Sequence, residues 1–211
     1  MIDNHFRTLL PKYVKPLLKV YARFNLSPNQ ITLLGLALAM LAAIAIGNGL
    51  LILGICVWWC SRLLDGTDGI YARLRKMDTP FGAYLDFVCD MAAYGAVILG
   101  FQAAFPAHIT LWTSIIYLYI LCSVSALCFG TLEQKLNIKN NDNRGLRLGA
   151  GLAEAGETGI AYTAMAILPK YIELIAYIWL GILIFTVLSR SALAYQITRQ
   201  SNQGQDSEPS K

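Results

Sequence analysis

Four aspartates, Asp65, Asp68, Asp86 and Asp90, fall in the middle of a chain that is otherwise built like hydrocarbon-facing protein. On the insertion scale an ionised aspartate near the centre of a bilayer costs about 2.5–3.5 kcal/mol, so a fully embedded and unpaired set opposes insertion by roughly 10 kcal/mol. Whatever fold the chain adopts must neutralise these groups or hold them at the membrane edge. Pairing with Arg62, Arg73 and Arg75 is one route, but it leaves excess negative charge on the acids.

Spacing sharpens the constraint. Asp65, Asp68, Gly69, Ala72 and Arg73 follow the i, i+3, i+4, i+7, i+8 pattern and share one stripe of a helix, and Gly82, Asp86 and Asp90 do the same on the next segment. A turn near residues 75–80 lets the stripes face each other across an antiparallel hairpin, which predicts an oxygen-ligand site for hard Mg²⁺ or Mn²⁺. Gly69 and Ala72 leave the stripe without bulk, so a ligand can lie against the backbone, and Arg73 can offer its guanidinium to a phosphate. Small residues such as Gly69, Ala72 and Gly82 also serve simple helix contact, and alone they say little.

The run from Asp65 through Asp68, Gly69, Ala72 and Arg73, followed after eight residues by Gly82, Asp86 and Asp90, resembles the signature of the CDP-alcohol phosphatidyltransferases. The likeness extends over about residues 26–195. It implies that Asp65, Asp68 and Asp86 bind metal, that Asp90 is the general base and also a possible ligand, and that Gly69, Ala72, Arg73 and Gly82 contact a CDP-activated alcohol. It also implies a homodimer. The expected reaction is metal-dependent transfer of a phosphatidyl group from a CDP-alcohol, CDP-diacylglycerol first among them, to a small hydroxyl acceptor with release of CMP. Two-metal phosphoryl transfer is the chemistry such an acid cluster suits.

Composition agrees with a membrane protein: 56% of residues are hydrophobic, only 14% are charged, and mean hydropathy is +0.50. Apolar stretches at about 31–46, 50–64, 81–105, 109–130, 150–168 and 171–195 predict an all-α integral membrane protein with six transmembrane helices. Alternating ten-residue strands are missing, which argues against a barrel. Basic residues collect in the N-terminal segment, at Arg73, Arg75 and Lys76, and at Lys135, Lys139, Arg144 and Arg147, so the positive-inside rule puts both termini and the aspartate hairpin on the cytoplasmic side.

The chain divides into a juxtamembrane segment (1–25), a membrane domain (26–198) and a polar tail (199–211) expected to be disordered. The first segment lacks the pattern of a secretory signal and reads as an interfacial amphipathic helix, or as one packed on the protein. Ser27, Pro28 and Gln30 make a capping-box helix start. The stretch also resembles the entry to the first membrane helix of the same family, which implies Asn29 and Thr32, left unexplained by capping, as candidate CDP contacts. For the acceptor pocket the candidates are Arg144, Arg147, Glu154, Glu157 and Arg190, a set that suits a phosphorylated alcohol through its arginines and an amino alcohol through its glutamates.

Cys56, Cys60, Cys89, Cys122 and Cys128 form no zinc or CxxC spacing and read as reduced packing thiols. His5 and His108 lie far from the acids in sequence, and no nucleic-acid partner is expected. Three alternatives stay open. A CDP-aminoalcohol can serve as donor to diacylglycerol, a membrane prenyltransferase would release pyrophosphate, and a cation transporter would move ions without releasing CMP.

Overall fold

The computed structural model describes residues 14–136 and 155–205, and within them the regular structure is helical. In chain order the α-helices are α1 (Lys15–Arg23), α2 (Pro28–Gly47), α3 (Leu51–Arg75), α4 (Pro80–Ala104), α5 (Ile109–Lys135), α6 (Ala155–Ile167) and α7 (Ile172–Gln205). Short 3₁₀ turns at Pro106–His108 and Pro169–Tyr171 precede α5 and α7.

Local sequence sets these boundaries. Ser27 caps α2 with a complete capping box: its hydroxyl accepts from the Gln30 N–H, and the Gln30 side chain accepts from the Ser27 N–H at 2.8 Å. Thr79 caps α4 by accepting from the Gly82 N–H at 3.0 Å, with Pro80 in the first turn. Between them α3 stops at Lys76, whose left-handed backbone (φ 56°) reverses the chain into the expected hairpin turn.

Among the described residues, four helical stretches are long and apolar enough to cross a membrane: Pro28–Gly47, Pro80–Ala104, Pro106–Lys135 and Pro169–Gln200. They account for four of the six expected spans. The stretch at 50–64 belongs to α3, which is long enough, but its second half carries Arg62, Asp65, Asp68, Arg73 and Arg75. Of the stretch at 150–168, the described residues hold the 13-residue α6, and residues 150–154 lie outside them. The last helix runs on into the polar stretch read as a tail, as far as Gln205.

The packing is organised around α2, which lies against both α3 and α4, while α3 and α4 make little direct backbone contact. Two glycines make that wedge possible. A Cβ on Gly54 would come within 2.4 Å of the Ile46 side chain and 2.9 Å of the Ala42 carbonyl, and one on Gly100 would come within 2.5 Å of the Ala43 carbonyl. The polar halves of α3 and α4 lie at the same end of the bundle, joined by the turn at Lys76, and the space between them is the cleft. The main core, including Ile46, Trp58, Val97, Phe101, Trp112, Tyr162, Met165 and Leu183, fills the opposite half of the bundle.

A smaller core seats α1 beneath the cleft. Val14, Leu18 and Tyr21 bury against Ile31 of α2 and Tyr71 of α3, while Lys15, Lys19 and Arg23 face outward. The Tyr21 hydroxyl pairs with the Thr67 hydroxyl at 2.9 Å, one residue from Asp68. Burial pushes the Tyr21 phenol up, so it stays protonated and able to hydrogen-bond. This end of the expected interfacial segment therefore packs on the protein.

Candidate active site

Asp68 is the most constrained of the four acids. It is buried on α3, its Oδ2 accepts from the Thr32 hydroxyl of α2, and its Oδ1 accepts from the Gly69 N–H at 2.5 Å. Each carboxylate oxygen has two lone pairs, so these bonds orient Asp68 and leave capacity for a further ligand. Thr32, expected at the nucleotide, is in this structure a support for Asp68.

Asp65 lies one turn earlier, within hydrogen-bonding reach of Asp90 and close enough to Asp86 to feel its charge. Asp65 of α3 and Asp90 of α4 thus approach each other across the hairpin. Between them stands Arg62. Its Nη1 donates to Asp90 Oδ1 at 2.5 Å and lies 3.5 Å from Asp65 Oδ2, and its Nη2 donates to Ser61 Oγ at 3.2 Å. From sequence alone Arg62 is only one of three arginines able to neutralise the acids. Its i, i+3 relation to Asp65 was visible, but the contact with Asp90 depends on how α3 and α4 are set by α2.

At the open end of the cleft Arg73 folds back along its own helix, with Nη1 3.4 Å from where a Gly69 Cβ would stand. A Cβ on Gly82 would stand 3.3 Å from Asn29 Oδ1, so the starts of α2 and α4 adjoin at the mouth of the cleft. Ala72 is buried on the same stripe as Asp65 and Asp68. Asn29, Gly69, Arg73 and Gly82 are therefore gathered at one end of the molecule with the acids.

The acceptor candidates separate. Arg144, Arg147 and Glu154 lie outside the described residues. Arg190 is buried on α7 and donates through Nη1 to the Cys122 carbonyl and Ser125 Oγ of α5, each at 2.8 Å, which is a helix-to-helix tie. Glu157 is half-buried on α6, and its Oε2 is buried without a hydrogen-bond partner. His108 lies at the opposite end, 3.8 Å from Glu173, and His5 lies outside the described residues. The five cysteines are free thiols.

As the side chains stand, no three His, Cys, Asp or Glu groups among the described residues converge tightly enough to hold an ion. The donor set nevertheless fits a hard divalent cation. Asp65, Asp68, Asp86 and Asp90 offer carboxylate oxygens, and oxygen ligands of this kind suit Mg²⁺ and Mn²⁺.

Residues 25–188 match the family model for CDP-alcohol phosphatidyltransferase. The chain belongs to that family. It is thus a membrane-embedded enzyme of phospholipid synthesis. It is 28% identical over 176 residues to the Inner membrane protein YnjF of Escherichia coli, covering 81% of this chain and 84% of that one. It is 31% identical over 166 residues to the phosphatidylinositol phosphate synthase of Mycobacteroides abscessus, covering 76% and 71% respectively. The structure superposes on the Mycobacterium tuberculosis phosphatidylinositol phosphate synthase solved with manganese and citrate. That match has a TM-score of 0.67 at 25% identity and covers 86% of this chain and 88% of that one. Another structure of the same protein holds CDP-DAG (TM-score 0.66, 23% identity).

Proposed function

We propose that this phosphatidyltransferase moves a phosphatidyl group from CDP-diacylglycerol to a small hydroxyl acceptor and releases CMP. The observation that carries this reading is the joining of α3 to α4 through Arg62, which pairs with Asp65 of one helix and Asp90 of the other, with Asp68 one turn along and Asn29 beside Gly82 at the same end. The related synthase solved with CDP-DAG and with manganese supports the donor and the metal.

In this reading Asp65, Asp68 and Asp86 hold Mg²⁺ or Mn²⁺, as one ion or a pair. When bound, the metal neutralises the diphosphate and the charge that develops on the departing CMP. Thr32 and the Gly69 N–H keep Asp68 aimed into the cleft. Gly69, Ala72 and Gly82 keep the floor low enough for the diphosphate, and Arg73 and Asn29 contact its phosphates and cytidine. The acceptor oxygen bonds to the phosphorus that bears diacylglycerol, the bond from that phosphorus to CMP breaks, and the hydroxyl proton passes to Asp90.

Positions of charge support a cytoplasmic cleft. Lys15, Lys19, Arg23, Arg73, Arg75, Lys76 and Lys135 sit at the end of the bundle that carries the acids, and Lys170 sits at the other. Soluble acceptor and CMP then exchange with the cytosol while the acyl chains stay in the bilayer.

The test uses purified protein in detergent with CDP-diacylglycerol and a panel of inositol phosphate, glycerol phosphate and serine. CMP release should require Mg²⁺ or Mn²⁺ and one acceptor, and mass spectrometry of the lipid identifies the product. A phosphorylated acceptor is the first choice because curated relatives are phosphatidylinositol phosphate synthases. CMP formed only from a CDP-aminoalcohol and diacylglycerol would reassign the donor. Pyrophosphate release, or ion flux without CMP, would overturn the reading.

A further inference from the structure

Arg62 lies inside the acidic cleft, and its surroundings are built for a flat cation. Its side chain is only 8% exposed. The guanidinium carbon sits 4.6 Å from the centre of the Trp58 ring and 5.3 Å from that of Tyr94, so it has an aromatic ring from each helix beside it. Neither ring is loose. Trp58 is fully buried against Tyr162, and the Tyr162 hydroxyl donates to the Tyr94 carbonyl at 3.0 Å. Ser61, which accepts from Arg62 Nη2, is itself anchored by donating to the Gly35 carbonyl of α2 at 2.8 Å.

This arrangement exceeds what charge neutralisation needs. A lysine would compensate the carboxylates equally well, yet its compact ammonium would match neither the aromatic slot nor the simultaneous reach to Asp90, Asp65 and Ser61. The fork bridges acids of both helices: Arg62 Nη1 hydrogen-bonds to Asp90 on α4 and forms an ion pair with Asp65 on α3, while Asp68 is held by Thr32.

We propose that Arg62 is a positioning residue and the resident cation of the cleft: it grips Asp90 to hold that carboxylate for the acceptor's proton, and its charge competes with a divalent ion for the acids. This rests on the phosphatidyl-transfer reading above. Because the guanidinium is fixed, it stays beside the ion and opposes it electrostatically, so the site binds metal more weakly than its carboxylates alone would.

The experiment is Mn²⁺ binding to the purified full-length protein in detergent, followed by electron paramagnetic resonance without nucleotide, with CMP release measured in parallel. Removing the positive charge with R62Q should tighten Mn²⁺ binding about tenfold, since a like charge close by disfavours a second cation. It should also lower kcat about tenfold or more by releasing Asp90, with KM for CDP-diacylglycerol changing by less than about threefold. R62K keeps the charge and loses the fork, so Mn²⁺ affinity should stay within about threefold of wild type while turnover remains depressed.

Unchanged or weaker Mn²⁺ binding by folded R62Q overturns the proposal. If R62Q does not fold, R62K decides, and wild-type turnover in R62K overturns the positioning role. A wild-type protein that neither binds Mn²⁺ nor releases CMP refutes the phosphatidyl-transfer reading itself. One that does both, with R62Q indistinguishable from it, refutes only the role of Arg62.

Discussion

Thr32→Val tests whether α2 supports the metal-binding half of the cleft. Valine keeps the branched shape of the side chain and removes the hydroxyl that donates to Asp68. Both partners are almost inaccessible, Thr32 at 5% and Asp68 at 4% exposure, so water does not replace the lost donor easily. A hydrogen bond to a charged group contributes about 1.5–3 kcal/mol. The lower part of that range applies, because Asp68 keeps the Gly69 N–H and the Pro28 carbonyl, which also accepts from Thr32 at 3.1 Å, belongs to the first turn of a helix. A loss of about 1.5–2 kcal/mol corresponds to roughly 10–30-fold, in line with the cost of removing a group that orients a metal ligand.

The assay is a Mn²⁺ titration of CMP release at saturating CDP-diacylglycerol. Thr32→Val should raise the half-saturating Mn²⁺ concentration by that factor, and Thr32→Ser, which keeps the hydroxyl, should stay within about threefold of wild type. If Thr32 acts instead on cytidine, the valine variant will raise KM for CDP-diacylglycerol and leave the Mn²⁺ dependence alone. A wild-type Mn²⁺ response in Thr32→Val would refute the reasoning.

Three further outcomes are expected. Asp90→Asn should reduce CMP release by about 10²–10⁴-fold, the usual contribution of a positioned base, while Mn²⁺ affinity stays within about threefold; retained turnover removes Asp90 from its role. Gly100→Ala places a methyl 2.5 Å from the Ala43 carbonyl and should destabilise the α2–α4 contact by about 1–3 kcal/mol. Gly95→Ala on the same helix meets nothing within 4 Å and should not lower the unfolding midpoint in detergent, so equal midpoints for the two variants contradict the wedge. Tyr21→Phe removes the bond to Thr67 and should cost about 0.5–1.5 kcal/mol, read as faster hydrogen exchange in α1; unchanged exchange there would show that the apolar contacts alone hold it.

The hairpin was legible because its signals are local. An i, i+3 acid pair on α3, an i, i+4 pair on α4, a break near residues 75–80 and the Ser27 capping box depend on neighbours within a few residues, and each lies on the helices expected. The depth of the cleft was not legible, since it comes from α2 wedging between α3 and α4, and Gly54 and Gly100 carry no mark in sequence of the helix they will touch. Arg62 was visible on the same face as Asp65, but its bond to Asp90 and its aromatic slot join residues from two helices. Apolar length alone also overlooked the charged half of α3, which sets that helix apart from the four apolar spans among the described residues. Thr32 shows a subtler limit: capping did not account for it, and the partner that does lies 36 residues away.

The central claim is that acids from α3 and α4 form one divalent-ion site. Anomalous diffraction from crystals soaked in Mn²⁺ tests it most directly. The account predicts a peak in the cleft with carboxylate oxygens of Asp65, Asp68 and Asp86 at about 2.0–2.3 Å. A peak elsewhere, or these side chains turned apart around an empty cleft at millimolar Mn²⁺, would contradict it.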